Sequence, residues 1–246
     1  MKTFRCDLHI HSTLSPCASL EMSPRNIFTK ARQSGIDIIA ITDHNMIENS
    51  FFTYEISKDS DTTVLFGMEL QTEEEIHLLV IFDDYGAASS FHKKIYKLIP
   101  DVKNDPSYFG DQVVVDCNDD IVRFEERLLL NSVQISLNDA VFLAKNAGAA
   151  VISSHIDSPN YSIISQLGYV PNDLPLDALE IRNKANIPQL MQFILNKEIP
   201  FVTFSDAHYI DDIGKRTTDL KLNKPSILEI KNALSEMGKR GIQNDG

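Results

Sequence analysis

The chain is short of positive charge, of cysteine and of long apolar runs, and each shortage removes a class of function. Lys and Arg number 23 against 35 Asp and Glu, a net charge of −12, whereas non-specific affinity for a duplex backbone comes largely from basic side chains neutralising phosphates. The expectation is therefore no long duplex nucleic acid as a partner. A short phosphorylated ligand stays open, because bound cations create a local positive field that formal charges omit. Three cysteines (Cys6, Cys17 and Cys117) are few, odd in number and widely spaced, which fits reduced thiols better than a disulfide framework. The opening MKTFRCDLHIHS has no apolar core of signal-peptide length, and no later stretch is long enough to span a bilayer. The expected setting is the cytoplasm, with no membrane partner.

What is present is an alternation. Short runs rich in Ile, Val and Leu are separated by amphipathic stretches, the pattern of strands buried on both faces and joined by crossover helices. With 246 residues, 43% hydrophobic and 24% charged, the chain suits one α/β domain over 1–246. Strands are expected over Thr3–Ile10, Ile36–Thr42, Thr63–Leu70, Ile76–Phe82, Ala149–Ser153, Asp177–Ile181 and Pro200–Phe204. Helices are expected over Ser23–Ser34, Ala87–Leu98, Ser136–Asn146, Ser162–Leu167, Ile187–Leu195 and Pro225–Met237. The turn Thr72–Glu75 is too short for a crossover helix, so the strands on either side of it read as an antiparallel hairpin. The segment 100–132 breaks the alternation. Its VVVDC-ND-DIVRF core reads as a hairpin inserted at the barrel mouth, serving either as a lid or substrate wall or as a plain surface loop.

Six of the seven histidines fall at or beside expected strand ends, most of them close to a carboxylate. They are His9 and His11 in DLHIHS, His44 in ITDHN, His77 near Glu69, His155 in SSHID, and His208 with Asp206 in SDAH. His9 and His11 are two apart on an extended segment, which turns both to one face. In a parallel barrel the carboxyl ends of the strands converge on one face, so distant residues meet there. One histidine of this kind is usually a packed residue, but the whole set points to a shared cation site, for which imidazole with carboxylate suits zinc, manganese or iron. His92, inside an amphipathic stretch without an acidic neighbour, reads as a solvated helix residue.

The ordered series DLHIHS, ITDHN, a Glu ending the third strand, a lone His after it, SSHID and SDAH resembles the motifs of the PHP (polymerase and histidinol phosphatase) superfamily. The stretch LSPCASLEMSP resembles stand-alone bacterial members. The resemblance implies a distorted (β/α)7 TIM-like barrel and two or three divalent ions. By position, His9, His11, Glu69 and Asp206 would hold the first ion, Glu69 with His77 and His155 the second, and His44 with His208 the third. Where family members add a His or Asp to that third set, this chain has Ser15-Pro16-Cys17. Cys17 would favour zinc or iron as a thiolate ligand, and otherwise packs as a small residue. Asp7, Asp43 and Asp157 read as acceptors that fix imidazole tautomers, with direct ligation or proton transfer as the alternative.

Such a centre would attack a phosphoester of a small phosphorylated metabolite or nucleotide through a metal-bound hydroxide. Arg182, directly after LDALEI, ranks first to bind the non-bridging oxygens, ahead of Arg127, Lys184, Lys215 and Arg216. Asp206 or His208 would protonate the leaving oxygen. The alternatives are hydrolysis of C–N or C–O bonds and a non-catalytic metal-binding regulatory module.

Overall fold

The computed structural model describes residues 1–243. Its elements in chain order are β1 (Lys2–Ile10), α1 (Pro24–Gln33), β2 (Ile38–Ile41), α2 (Glu48–Ser57), β3 (Thr63–Gln71), β4 (His77–Phe82), α3 (Tyr85–Tyr96), α4 (Pro106–Phe109), β5 (Val113–Val115) and β6 (Ile121–Phe124). They continue with α5 (Leu137–Asn146), β7 (Ala150–Ser153), α6 (Ile163–Leu167), β8 (Ala178–Glu180), α7 (Ile187–Leu190), β9 (Phe201–Val202), β10 (Thr218–Leu222), α8 (Ile227–Leu234) and β11 (Gly241–Gln243).

Nine strands form one curled sheet in the order β11-β10-β1-β2-β3-β4-β7-β8-β9. The chain after β9 returns to β1, where His11 N–H donates to the Ala207 carbonyl (3.0 Å) and Ala207 N–H to that of His9 (3.2 Å). Seven strands, β1 to β4 and β7 to β9, thus encircle one interior, with the β10–β11 pair flanking β1. The pairs β1–β2, β2–β3, β7–β8 and β8–β9 are parallel, whereas β3–β4 and β4–β7 are antiparallel. The expected hairpin is therefore present, with Gln71 opposite His77.

Strand alternation sorts the side chains into layers. Cys6, Leu8, Ile38, Ala40, Leu65, Leu79, Ile81, Ala150, Ile152, Ala178 and Val202 pack together inside the barrel, and α8 plugs the bottom with Ile227, Ile230, Ala233 and Leu234. Ile39, Ile41, Met68, Val80 and Val151 face outward into the two clusters beneath the helices. The β1–β2 register shifts between Asp7 and Ile10. Leu8 belongs to the inner cluster and Ile10 to an outer one, so the irregularity re-aims the end of β1, a common use of a bulge beside a site.

Several helices follow from their caps. Ser23 accepts from Asn26 N–H before Pro24, Ser136 from Asp139 N–H, and Ser162 forms a capping box with Ser165. Several elements differ from expectation. Helix α2 has no apolar stripe, because its buried positions are Asn49, Ser50, Thr53 and Ser57. The stretch 187–195 keeps only the short helix Ile187–Leu190, flanked by 3-10 turns. Strands β10 and β11 were not anticipated. Segment 100–132 does hold a two-stranded hairpin, β5–β6. Asn49 bridges it to the first site loop: its amide donates to Ser12 Oγ (2.9 Å), Thr13 Oγ1 (3.1 Å) and the Val113 carbonyl (3.0 Å), and it accepts from Val115 N–H (3.1 Å). Among the described residues, no helix is long and apolar enough to cross a membrane.

Candidate metal centre

Above the apolar layer, the inward positions at the upper strand ends become polar. Glu69 continues the inward row of Leu65, His77 that of Leu79, and Glu180 that of Ala178. The β1 irregularity adds His9 and His11, and the return of the chain beside β1 adds Asp206 and His208. His44 lies next to Glu69 because β2 and β3 keep pairing past their ends: Glu69 N–H donates to the Asp43 carbonyl and Asn45 N–H to that of Glu69, both at 3.0 Å.

The ligating atoms crowd together. Glu69 Oε1 lies 3.3 Å from His9 Nε2, 3.0 Å from His77 Nδ1 and 3.2 Å from His155 Nε2. Glu69 Oε2 is 3.4 Å from His11 Nε2 and 3.3 Å from His44 Nδ1. Asp206 Oδ1 lies 3.4 Å from His9 Nε2 and 3.6 Å from His11 Nε2. Atoms about 2.0–2.1 Å from a shared ion stand about 2.8–3.4 Å apart along the edges of an octahedron or tetrahedron. His44 Nδ1, His77 Nδ1 and Glu69 Oε1 are buried without a hydrogen-bond partner, an arrangement that costs free energy unless a cation fills it. The residues present therefore fit divalent ions.

Outward partners fix the rings. His9 Nδ1 faces both Glu180 oxygens at 3.0 Å, His11 Nδ1 faces Ser15 Oγ at 3.0 Å, and His77 Nε2 faces Gln71 Oε1 at 3.0 Å. Each contact places the proton outward and leaves the other nitrogen's lone pair toward the centre. Asp43 acts one hydroxyl removed, accepting from Ser15 Oγ (2.7 Å). The expected roles of Asp7 and Asp157 are corrected: Asp7 accepts from the backbone N–H of Ser205 and Gly214, and Asp157 from those of Arg182 and Asn183. Their neighbours are amides because both carboxylates brace the loops behind the site. The imidazole-fixing carboxylate is Glu180, which sequence reasoning missed although its alternation with Ala178 in β8 signals an inward position.

Burial dominates the electrostatics. It lowers His11 to about 4 and His44 well below the ordinary imidazole value, favouring neutral donors. At His9 burial opposes protonation, but the carboxylates of Glu180, Asp206 and Glu69 prevail and raise its pKa. Burial also opposes ionisation of Glu69, yet His77 and His9 hold its carboxyl well below the usual range. Three non-glycine residues around the centre adopt left-handed backbone, His155 (φ 27°), Asp206 (φ 53°) and Tyr161 (φ 57°), a local strain of about 1–3 kcal/mol each.

The centre opens into a cavity of about 350 Å³ lined by Cys17, Leu130, Tyr161, Arg182 and the ligand set apart from His9 and His11. Arg182 Nη2 donates to Asp206 Oδ2 (2.8 Å). The other cationic candidates are engaged elsewhere: Arg127 with the Tyr96 and Ile99 carbonyls, Lys215 with Asp212, and Arg216 with Phe204 and Ser205 carbonyls. Lys184 lines a separate cavity of about 500 Å³. Tyr161 was also missed; its ring stacks on His77 (centroids 4.8 Å, planes 7° apart) and it is 43% exposed. His92 lies outside the cluster and is not on a solvated face: its Nε2 is buried without a partner, and burial lowers its pKa to about 4.

Known proteins resemble this chain in sequence or in fold. A relative in Methanocaldococcus jannaschii, an uncharacterised protein, is 35% identical over 104 residues, covering 38% of this chain and 60% of that protein. Among solved structures, a lesion-specific endonuclease from Pyrococcus furiosus aligns with TM-score 0.73 at 16% identity, over 98% of this chain and 58% of that one. An Endonuclease Q complex with a 27-mer duplex substrate carrying an abasic lesion at the active site aligns with TM-score 0.70 at 18% identity, with the same coverage. This chain thus spans about three fifths of the length of each of these three proteins. The expectation of no long duplex nucleic acid is overturned by that complex: a protein containing a fold of this shape takes a duplex substrate, and net charge does not report the field at a cation-holding cleft. The sequence pattern of the PHP domain family matches residues 7–152, more than half of the chain, and the chain belongs to that family.

Proposed function

We propose that this protein is a metal-dependent phosphoesterase acting on a small phosphorylated metabolite or nucleotide, with the cluster as its reactive centre. Family membership and the clustered, unpartnered ligand atoms support a metal-dependent hydrolase. The observation that carries the finer reading is Arg182, an exposed guanidinium beside that cluster on the wall of a cavity of about 350 Å³. A guanidinium fork matches the oxygens of a phosphoryl group.

We assign His9, His11, Glu69 and Asp206 to a first ion, Glu69, His77 and His155 to a second, and His44, His208 and Cys17 to a third, with zinc, manganese or iron as the candidates. Divalent ions here supply charge neutralisation and water activation for hydrolysis. The chain's own residues do the rest. Glu180, Ser15 and Gln71 hold three rings in the ligating tautomer. Arg182 exchanges Asp206 for a phosphoryl oxygen, and Asp206 and His208 line the leaving-group side. Leu130, from the inserted segment, and Tyr161 form the wall that shapes the leaving group.

The test is turnover by the purified protein with manganese, zinc or ferrous iron on phosphomonoesters, phosphodiesters including a duplex with an abasic site, and amides. Phosphoester cleavage that His9→Ala abolishes and Arg182→Ala weakens supports the proposal. Amide cleavage alone would replace it with C–N hydrolysis, and metal retention without turnover would point to a regulatory module.

A further inference from the structure

We propose that Cys17 makes the third cation position a thiolate-bearing site that selects zinc or ferrous iron over magnesium and calcium. This rests on the reading above that the neighbouring ligands hold cations. One ligand atom each from His11, Cys17, His44 and His208 can be chosen so that all lie within 4.8 Å of one another. Around zinc, with Zn–S of about 2.3 Å and Zn–N of about 2.0–2.1 Å, neighbouring ligands stand about 3.5 Å apart, so a contraction of about 1 Å closes the set. Side-chain rotation can supply that movement. His11 Nε2 also faces the first ion's carboxylates, which leaves Cys17, His44 and His208 as the core of the third set.

Three observations separate this from a cysteine that happens to lie nearby. First, His44 is 6% exposed and its Nδ1, 3.3 Å from Glu69 Oε2, has no hydrogen-bond partner, so a buried imidazole between the Glu69 carboxylate and the Cys17 set has a lone pair free for a cation. Second, the cysteine loop is anchored to another member of the set, since Ser19 N–H donates to the His208 carbonyl (2.9 Å) and Ala18 N–H to that of Ser15 (2.9 Å). Third, the inserted segment presses on the loop from outside. Gly110 has φ 99°, and a Cβ there would lie 2.5 Å from the Pro16 carbonyl oxygen, so only glycine permits this approach. Cys17 is thereby fixed at the cavity wall, whereas Cys6 is buried and Cys117 sits elsewhere, against the Phe52 carbonyl.

The chemistry then follows from ligand softness. Oxygen-only sites suit magnesium, calcium and manganese, while a thiolate with imidazoles selects softer ions. Ligation releases the thiol proton to solvent. It also commits His208 to the ion, leaving the proton for the departing oxygen to water.

Cobalt(II), which reports thiolate ligation by a sulfur-to-metal charge-transfer band in the near ultraviolet, is titrated into the metal-stripped protein. The band is expected to grow in the wild type and to be lost in Cys17→Ser. It is expected to be lost in Cys17→Asp too, which retains the full complement of bound cobalt. As a second readout, iodoacetamide labelling of Cys17, followed by mass spectrometry, is expected to be suppressed by zinc and not by magnesium. Cobalt binding without the band, or with a band that persists in Cys17→Ser, overturns the thiolate site and leaves the phosphoesterase reading standing. No cobalt binding at all overturns both.

Discussion

At the scale of single residues, three imidazoles of the centre, those of His9, His11 and His77, each have one nitrogen held outward and one turned inward. Glu180 has the largest share, because its two oxygens meet His9 Nδ1 at 3.0 Å and one also accepts the N–H of His155 at 2.9 Å. Glu180→Gln keeps the volume but offers one acceptor oxygen where two bonds are made, so one partner faces an amide donor. Metal affinity is expected to fall about 10- to 100-fold, the usual effect of losing a group that orients a ligand. Competition with a fluorescent chelator measures it, and unchanged affinity would show that His9 orients without help. The histidines and acids of the centre were readable from their motifs, since spacing and strand-end position are written in the chain. Glu180 and Tyr161 carry no such motif, although the alternation of β8 turns Glu180 inward. The first stands far in sequence from any histidine, and the second reaches the cavity through a loop whose left-handed backbone no local pattern announces.

At the scale of elements, buried polar faces explain both what holds the site and what sequence periodicity overlooks. Apolar spacing finds α1 and α5, whose inward residues are Ile27, Phe28 and Ala31 or Ala140, Val141 and Ala144. It passes over α2, whose buried positions are the polar Asn49, Ser50, Thr53 and Ser57, with Asn49 bonded to the Ser12–Thr13 loop and to β5. Asn49→Ala would strip hydrogen bonds from Val113, Val115 and the Ser12–Thr13 loop. The expected loss is about 2–4 kcal/mol, given about 1–3 kcal/mol for each buried group left unsatisfied; urea denaturation checks it, and a loss below 1 kcal/mol would mean that water takes over these bonds. The β10–α8–β11 corner is held by charge instead. Arg240 donates to Glu229 at 2.7 and 2.8 Å, and Asn223 N–H at 2.9 Å. The arginine bond first, then the Asn223 amide, lowers the Glu229 pKa from 4.5 to about 2. A depressed carboxyl stabilises the fold above its unfolded value and loses that contribution as pH falls toward the folded one. Thermal melts of wild type and Glu229→Gln should therefore differ most above pH 4.5 and converge toward pH 2. A constant gap would assign the effect to packing.

At the scale of the whole molecule, the barrel divides into an apolar lower interior and a polar upper one, and the two carry opposite free-energy signs. The lower layer, from Leu8 and Ile38 down to the α8 plug, gains by leaving water. The upper layer buries five imidazoles, those of His9, His11, His44, His77 and His155, with the carboxylates of Glu69 and Glu180, while Asp206 and His208 stand at its partly exposed rim, and several of the buried atoms have no hydrogen-bond partner. Its assembly was legible because strand order alone forces the ends of β1, β2, β3 and β7 to one rim, and the hairpin reversal accounts for His77. The closing of the ring by Ala207 against β1 followed only from the barrel that the family resemblance implies, since β9 is two residues long and the pairing runs through residues past the expected strand. If ions repay the cost of this layer, they bind the folded state alone and stabilise it by RT ln(1 + [L]/Kd), about 4 kcal/mol at a thousandfold excess over Kd. For a chain of this size that corresponds to a fall in Tm of roughly 8–16 °C on exhaustive chelation, recovered on adding back manganese or zinc. The same treatment of His9→Ala should give a smaller shift, because one ligand of the first ion is already missing. Scanning calorimetry of both proteins decides the point: equal Tm with and without chelator in the wild type would mean that protons and hydrogen bonds, rather than cations, hold the rim together.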